Sequence, residues 1–160
     1  MRKVLIAAAI IFLSSCKTTQ YFIVRHAEKE TAAAMNTDVP LSEAGKQRAQ
    51  ALREALEKEN IRHIYSTNFI RTKTTAQPLA DATGLPIEIY NAADSSFADR
   101  LKKENGNVLV VGHSNTVDDL LNKLLGEKRF TDLADTRYGD LFVVRRKGQR
   151  LWLEERHFGK

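Results

Sequence analysis

Tyr21-Phe22-Ile23-Val24 is an apolar run that passes without a break into Arg25-His26. A run this short and this apolar suits a strand covered on both faces. One that stops on reactive side chains suits the carboxyl edge of a parallel sheet, where loops carry chemistry on a rigid support. The arrangement recurs twice: Ile61 to Tyr65 leads into Ser66-Thr67-Asn68-Phe69-Ile70-Arg71, and Val108-Leu109-Val110-Val111 leads into Gly112-His113-Ser114-Asn115. Helical stripes separate the runs. Ala44, Ala49, Leu52, Ala55 and Leu56 fall on one side of a helix between Ser42 and Glu59, and further helices are expected from near Asn68 to Thr83-Gly84, from Ser95 to Glu104 and from Asn115 to Leu125. With a short strand at Pro86–Tyr90, strands alternating with helices predict a three-layer α/β/α fold around a mainly parallel central sheet. Asp140 to Arg146 and Gln149 to His157 flank Lys147-Gly148 and predict a C-terminal β-hairpin at one sheet edge.

Because parallel strands share one carboxyl edge, Arg25, His26, Arg71 and His113 can converge although they lie far apart in the chain. Two guanidinium groups beside two imidazoles make a cationic pocket that suits a phosphomonoester, which carries about −1.5 to −2 charge at neutral pH. Arg25 and Arg71 are expected to hold its non-bridging oxygens. Ser114 and the backbone N–H groups of the helix that follows it offer further donors. From the residues alone, His26 stands open as nucleophile, general base or metal ligand. Neither a metal nor another cofactor is expected, since no carboxylate-rich cluster accompanies the histidines and the arginines would repel a divalent cation. His63, His157 and Trp152 sit inside alternating strand patterns and are expected to be structural or surface residues, Trp152 as packing.

Arg25-His26 after the first strand, Ser66-x-x-x-x-Arg71-Thr72-x-x-Thr75-Ala76 after the second and Gly112-His113-Ser114 after a later one, in that order, resemble the histidine phosphatase superfamily, branch 1, the clan that contains the cofactor-dependent phosphoglycerate mutases. Asp38-Val39-Pro40-Leu41-Ser42-Glu43-Ala44-Gly45 resembles the segment leading into that family's first helix, and the likeness runs from Tyr21 to about Gly126. The resemblance implies a phosphoglycerate mutase-like fold, His26 as a nucleophile that forms a phosphohistidine, and His113 hydrogen-bonded to the transferring phosphoryl group. Two departures stand out. Ala27 occupies a place where many relatives have glycine, and the glutamate that relatives carry between the Arg71 helix and the His113 strand is missing. Asp94 and Glu28 are the two candidates for the proton donor, and each reads equally well as an ordinary solvated carboxylate. Without an acid, good leaving groups such as phosphohistidine or aryl phosphate would be favoured. The expected activity is therefore a metal-independent phosphoric monoester hydrolase acting on a small phosphorylated substrate. The alternative is an envelope lipoprotein that binds phosphate with weak or no turnover. A mutase fits less well, because the chain lacks the long insertions of phosphoglycerate mutases.

Met1-Arg2-Lys3 followed by an apolar stretch from Val4 to Leu13 reads as an export signal, too short for the ~20 residues a membrane-spanning helix needs. Leu13-Ser14-Ser15-Cys16 resembles a bacterial lipobox, so residues 1–15 are expected to be a lipoprotein signal peptide, Cys16 to Gln20 a lipidated cysteine with its tether, and residues 21–160 one phosphatase domain. The anchor on Cys16 would make a membrane the partner and the cell envelope, outside the cytoplasmic membrane, the address. An ordinary signal with an incidental cysteine is the alternative. Losing Arg2 and Lys3 would lower the formal net charge from +5 to +3, with the bases scattered and few aromatics among them, so no nucleic-acid partner is expected. Cys16 is the only cysteine, which leaves nothing for an intramolecular disulfide.

Overall fold

The computed structural model describes residues 18–31, 38–131, 133–134 and 136–159. The expected signal segment, Cys16 and most of the Thr31–Met35 insertion lie outside them. Ten elements follow in order: β1 (Thr19–Arg25), α1 (Glu43–Leu56), β2 (Ile61–Ser66), α2 (Ile70–Thr83), β3 (Ile87–Ile89), α3 (Phe97–Leu101), β4 (Asn107–Gly112), α4 (Ser114–Leu125), β5 (Asp140–Lys147) and β6 (Arg150–His157). The strands form one six-stranded sheet in the order β3-β2-β4-β1-β5-β6. β1, β2, β3 and β4 run parallel, whereas β5 is antiparallel to β1 and forms the closing hairpin with β6. The fold is thus α/β, as the alternation of runs predicts.

Period-two alternation of side chains divides the buried residues into two cores, one on each face of the sheet. Phe22, Val24, Leu109, Val111 and Val143 face Leu52 and Leu56 of α1 and Ala76, Leu79 and Ala80 of α2. Tyr21, Ile23, Val108, Val110 and Val144 face Phe97 and Leu101 of α3 and Leu120, Leu121 and Leu124 of α4. This is the three-layer arrangement, and β1 lies at its centre with Tyr21 to Val24 wholly buried. Each large apolar side chain taken out of water there contributes about 1.5–3 kcal/mol, against the entropy of ordering it.

Two boundaries depart from the sequence reading. β1 begins at Thr19, taking Thr19 and Gln20 from the expected tether, because Thr19 pairs with Arg146 and Gln20 with Arg145 across β5. α3 is only Phe97–Leu101, since Asp94 ties down the turn before it. Trp152, expected as packing, is 37% exposed on the edge strand β6 and is a surface residue. Among the described residues no helix is long and apolar enough to cross a membrane.

Candidate active site

The carboxyl ends of β1, β2 and β4 deliver their loops to one place. His26 follows β1, Thr67 follows β2 and His113 follows β4, and the N–H of His26 donates to the Gly112 carbonyl at 2.9 Å while that of Thr67 donates to Val111 at 3.3 Å. Arg71 reaches the same place from the first turn of α2. Tyr138 arrives from the segment before β5, because the antiparallel register sets the residues preceding Asp140 beside those following Arg25.

Hydrogen bonds settle which imidazole nitrogens carry protons. Nδ1 of His26 lies 2.7 Å from the Ala27 carbonyl, which can only accept, so Nδ1 donates and Nε2 keeps its lone pair. His113 has the opposite arrangement. A guanidinium only donates, so Arg71 donates a hydrogen bond to Nδ1 of His113 at 3.4 Å, and Nε2–H of His113 donates to the Thr67 hydroxyl at 3.0 Å. The Thr67 hydroxyl donates to the Thr72 hydroxyl at 3.1 Å, and Thr72 donates to the Thr67 carbonyl at 2.9 Å. Thr75 completes the α2 motif by accepting from the Ala27 N–H at 3.0 Å and donating to the Arg71 carbonyl at 2.7 Å. The threonines at the 72 and 75 positions therefore hold the two histidine loops together.

The imidazole rings of His26 and His113 meet edge to face with centroids 5.4 Å apart. Arg25 donates to the Ala134 carbonyl at 3.1 Å and lies 4.5 Å over the ring of Tyr138, which also packs 6.2 Å from His26. Arg71 lies 4.5 Å over the ring of Phe69, with Asp38 at 3.9 Å. Burial lowers the pKa of His26 to about 3, and the charges of Arg25, Arg71 and His113 push the same way against the Ala27 hydrogen bond. Burial, then Arg71 and Arg25, lower that of His113 to about 4. Both rings are neutral at neutral pH, the form a nucleophilic imidazole requires.

The four residues predicted to converge do so. Ser114 sits at the first position of α4, whose amino terminus opens toward the cluster, and the Thr116 hydroxyl accepts from the His113 N–H at 2.8 Å. The two candidate acids are placed differently. The carboxylate of Glu28 is held in a fork by Nε of Arg48 at 2.8 and 2.9 Å, with the Arg48 Nη2 at 2.7 Å. Burial there resists ionisation, but the Arg48 hydrogen bonds and charge outweigh it and keep the pKa low. Asp94 accepts from the backbone and hydroxyl of Ser96 at 2.9 and 2.7 Å and pairs with Arg100 at 3.3 Å, which also lowers its pKa. Neither side chain has a proton to give at neutral pH; Glu28 braces the His26 loop and Asp94 fixes a turn.

Sequence reasoning missed Asp38 and Tyr138 as site residues and left Thr67 without a role. Asp38 accepts from the Ile70 N–H at 2.7 Å and so caps α2 from a distant loop, which the helix needs because Phe69 at its N-cap offers no acceptor. Tyr138 carried no local signal, since only the β1–β5 register brings it in.

Beside the cluster opens a cleft of about 890 Å³ that shares Arg71 and His113 with it. Its lining also includes Phe69, Ile89, Asn91, Ala92, Asn115 and Asp119.

Residues 21–94 match the family described as Histidine phosphatase superfamily (branch 1). This match supports a place for the chain in that superfamily. Among curated proteins, the probable phosphoglycerate mutase GpmB of Photorhabdus laumondii subsp. laumondii is 35% identical over 72 residues, 42% of this chain and 34% of that protein. Its counterpart in Yersinia pestis (strain Pestoides F) is 37% identical over the same shares. The aligned stretch thus spans about a third of the length of these relatives. The fold extends the likeness over most of the chain. The protein histidine phosphatase SixA, solved with tungstate, superposes with a TM-score of 0.69 at 21% identity, covering 86% of this chain and 96% of that one. A mycobacterial glucosyl-3-phosphoglycerate phosphatase gives 0.66 at 16% identity, covering 86% and 98%. The superfamily's sequence match ends at Asp94, so His113 enters the site on the strength of the fold and its own contacts.

Proposed function

We propose that this chain is a metal-independent phosphomonoester hydrolase that works through a phosphohistidine on His26. The observation that carries the reading is the His26 tautomer: Nδ1 is committed to the Ala27 carbonyl, which leaves Nε2 as the nucleophile among Arg25, Arg71 and His113. Nε2 attacks phosphorus, the bond to the ester oxygen breaks, and that oxygen departs as the alkoxide or aryloxide and takes its proton from water. Water then attacks the phosphohistidine, releasing inorganic phosphate and restoring the imidazole. Arg25 and Arg71 hold the non-bridging oxygens through both steps and match the charge that develops on them. His113, neutral and with its Nδ1 lone pair facing Arg71 at 3.4 Å, acts on the phosphoryl group by holding that guanidinium beside it.

The cleft narrows the substrate class. Among the described residues lining it Arg71 is the one permanent cation, and Asp119 in the same lining repels a second anionic group. Apolar Phe69 and Ile89 and the amides of Asn91 and Asn115 suit an uncharged organic leaving group. This favours hydrolysis of a simple monoester over isomerisation of a substrate that carries a carboxylate as well as a phosphate. With Glu28 and Asp94 engaged elsewhere, esters of acidic alcohols, aryl phosphates above all, or phosphohistidine react best. The sequence of residues 1–16 supports export and a lipid on Cys16, which would hold the enzyme at the cell envelope, outside the cytoplasmic membrane, facing envelope or scavenged phosphates.

The same placement of Glu28 and Asp94 favours a second reading, a lipoprotein that binds phosphate without turning it over. Single-turnover reaction with a labelled aryl phosphate in chelator separates the two. Acid-labile, base-stable label on His26, absent from His26→Ala, is the expected result. Saturable binding of inorganic phosphate with neither label nor turnover would replace the hydrolase by the binding protein.

A further inference from the structure

At the end of the sheet opposite His26, the chain enters β1 at Thr18–Thr19, and the turn of the β5–β6 hairpin lies beside it, because Thr19 pairs with Arg146 and Lys147 with Arg150. Residues 147–150 are exposed, and so is Trp152. Directly opposed residues in an antiparallel pair share a face. Lys147 and Arg150 therefore stand on one face with Arg145 and Trp152, and the Arg150 guanidinium lies 5.8 Å over the indole. Like charges directly opposed across two strands destabilise the pair. Among the described residues neither Lys147 nor Arg150 has a carboxylate partner, while Arg145 has Glu154 at 3.0 Å.

Beneath the tip a depression of about 960 Å³ is lined by Thr18, Thr19, Arg62, Asn107, Arg146 and Gly148, among others. Arg146 spends its donors there on neutral oxygens, the Tyr21 hydroxyl at 2.8 Å, the Thr19 hydroxyl at 3.4 Å and the Glu104 carbonyl at 3.2 Å. The nearby carboxylates are engaged, Glu59 with Arg156 at 3.3 Å and Glu104 with the Tyr65 hydroxyl at 2.8 Å. Unpaired cations and an exposed indole thus share one face at this end of the sheet, and the polar depression under Arg146 opens on the other face beside the same turn. This end stands about 20 Å from His26 along β1, by the rise of a strand, and Cys16 lies two residues before Thr18 in the chain.

We propose that this edge of the sheet, with the Lys147–Trp152 tip, seats on an anionic phospholipid bilayer. The proposal rests on the lipid-anchor reading of Cys16. Tryptophan takes the interface between headgroups and acyl chains, and lysine and arginine take the phosphate layer. The anchor holds the chain near the bilayer, the tip fixes its orientation, and the cleft at the opposite edge of the sheet is turned away from the lipid toward soluble substrate.

Trp152 is the only tryptophan, so its emission reports on the tip alone. The full, lipidated chain is reconstituted in vesicles of phosphatidylcholine with roughly one-third phosphatidylglycerol, with bromine on the acyl chains. Quenching of Trp152 that disappears in pure phosphatidylcholine is expected. A basic side chain near an anionic leaflet is worth about a fivefold change in partitioning, so Lys147→Gln with Arg150→Gln shifts the seated population about 25-fold. Turnover of a soluble aryl phosphate serves as the folding control and stays unchanged. Sedimentation with the vesicles reads the anchor separately. Protein that sediments with Trp152 unquenched, or equally quenched without phosphatidylglycerol, overturns the surface and leaves the anchor standing. Protein that lacks the lipid yet is quenched by added phosphatidylglycerol vesicles removes the anchor and keeps the surface. An acidic protein or nucleic acid that covers the tip while brominated lipid leaves it bright overturns the proposal.

Discussion

Acidification from about pH 7 to about pH 5 should destabilise this protein through His26, and His26→Asn should remove that part of the loss. The imidazole has a pKa of 6.5 in an unfolded chain and about 3 here, first because it is buried and then because Arg25, Arg71 and His113 surround it. Between those values the unfolded chain takes up a proton that the folded chain refuses. Stability is therefore full above about pH 6.5, falls as the pH drops below it, and stops falling on this account only near pH 3. At ~1.36 kcal/mol per unit, the span from 6.5 to about 5 costs about 2 kcal/mol from His26. His113 acts in the same direction in both proteins. Asparagine keeps an N–H for the Ala27 carbonyl but cannot titrate. Urea unfolding in buffers free of oxyanions, at both pH values, should show the wild type losing about 2 kcal/mol more than His26→Asn, which is about 1 M in midpoint for a slope near 2 kcal/mol/M. Parallel losses in the two proteins would refute the claim that His26 is folded as a neutral, desolvated base.

Arg71→Ala removes a preorganised cation from the transferring group and should lower kcat/KM by about 10²–10³-fold, or about 3–4 kcal/mol, read by steady-state kinetics on an aryl phosphate. Thr67→Val strands the Nε2–H of His113, which should cost about 1–3 kcal/mol and mix the tautomers, visible in the imidazole nitrogen shifts. Gly45→Ala sets a Cβ against the Glu28 carbonyl, so the loop after His26 must move; a several-fold loss of kcat with little change in circular dichroism is expected. Cys16→Ser should leave soluble turnover intact and release the chain from the membrane fraction, and retention there would refute the anchor.

The fold was legible because its signals are local. Tyr21–Val24 and Val108–Val111 are apolar on both faces, as strands buried in a parallel sheet must be, and Ser42 and Gly84 mark a helix start and a helix end where the structure has them. The convergence of His26, Arg71 and His113 followed from the shared direction of β1, β2 and β4, a property of sheet topology that short motifs carry well. Tyr138 was invisible for the opposite reason: it depends on β5 pairing antiparallel with β1 across more than a hundred residues of chain.

The proton donor shows where reading by proximity in sequence fails. Glu28 stands two residues from His26, yet a side chain points where its strongest partner is, and that partner is Arg48 on α1. The bond has a structural purpose. Arg48 also donates to the Phe158 carbonyl at 3.2 Å, so one guanidinium ties the His26 loop to the carboxyl end of the chain. Protonating Glu28 to make it an acid would break the brace that positions His26, so the two roles exclude each other in this fold. In the proposed reaction the alcohol displaced from phosphorus by His26 must therefore carry its own acidity or take a proton from water in the cleft, and the rate should rise as the pKa of that alcohol falls. Glu28→Gln should weaken the brace and lower activity equally for aryl and alkyl phosphates. A selective loss on alkyl esters would return Glu28 to the reaction as its acid.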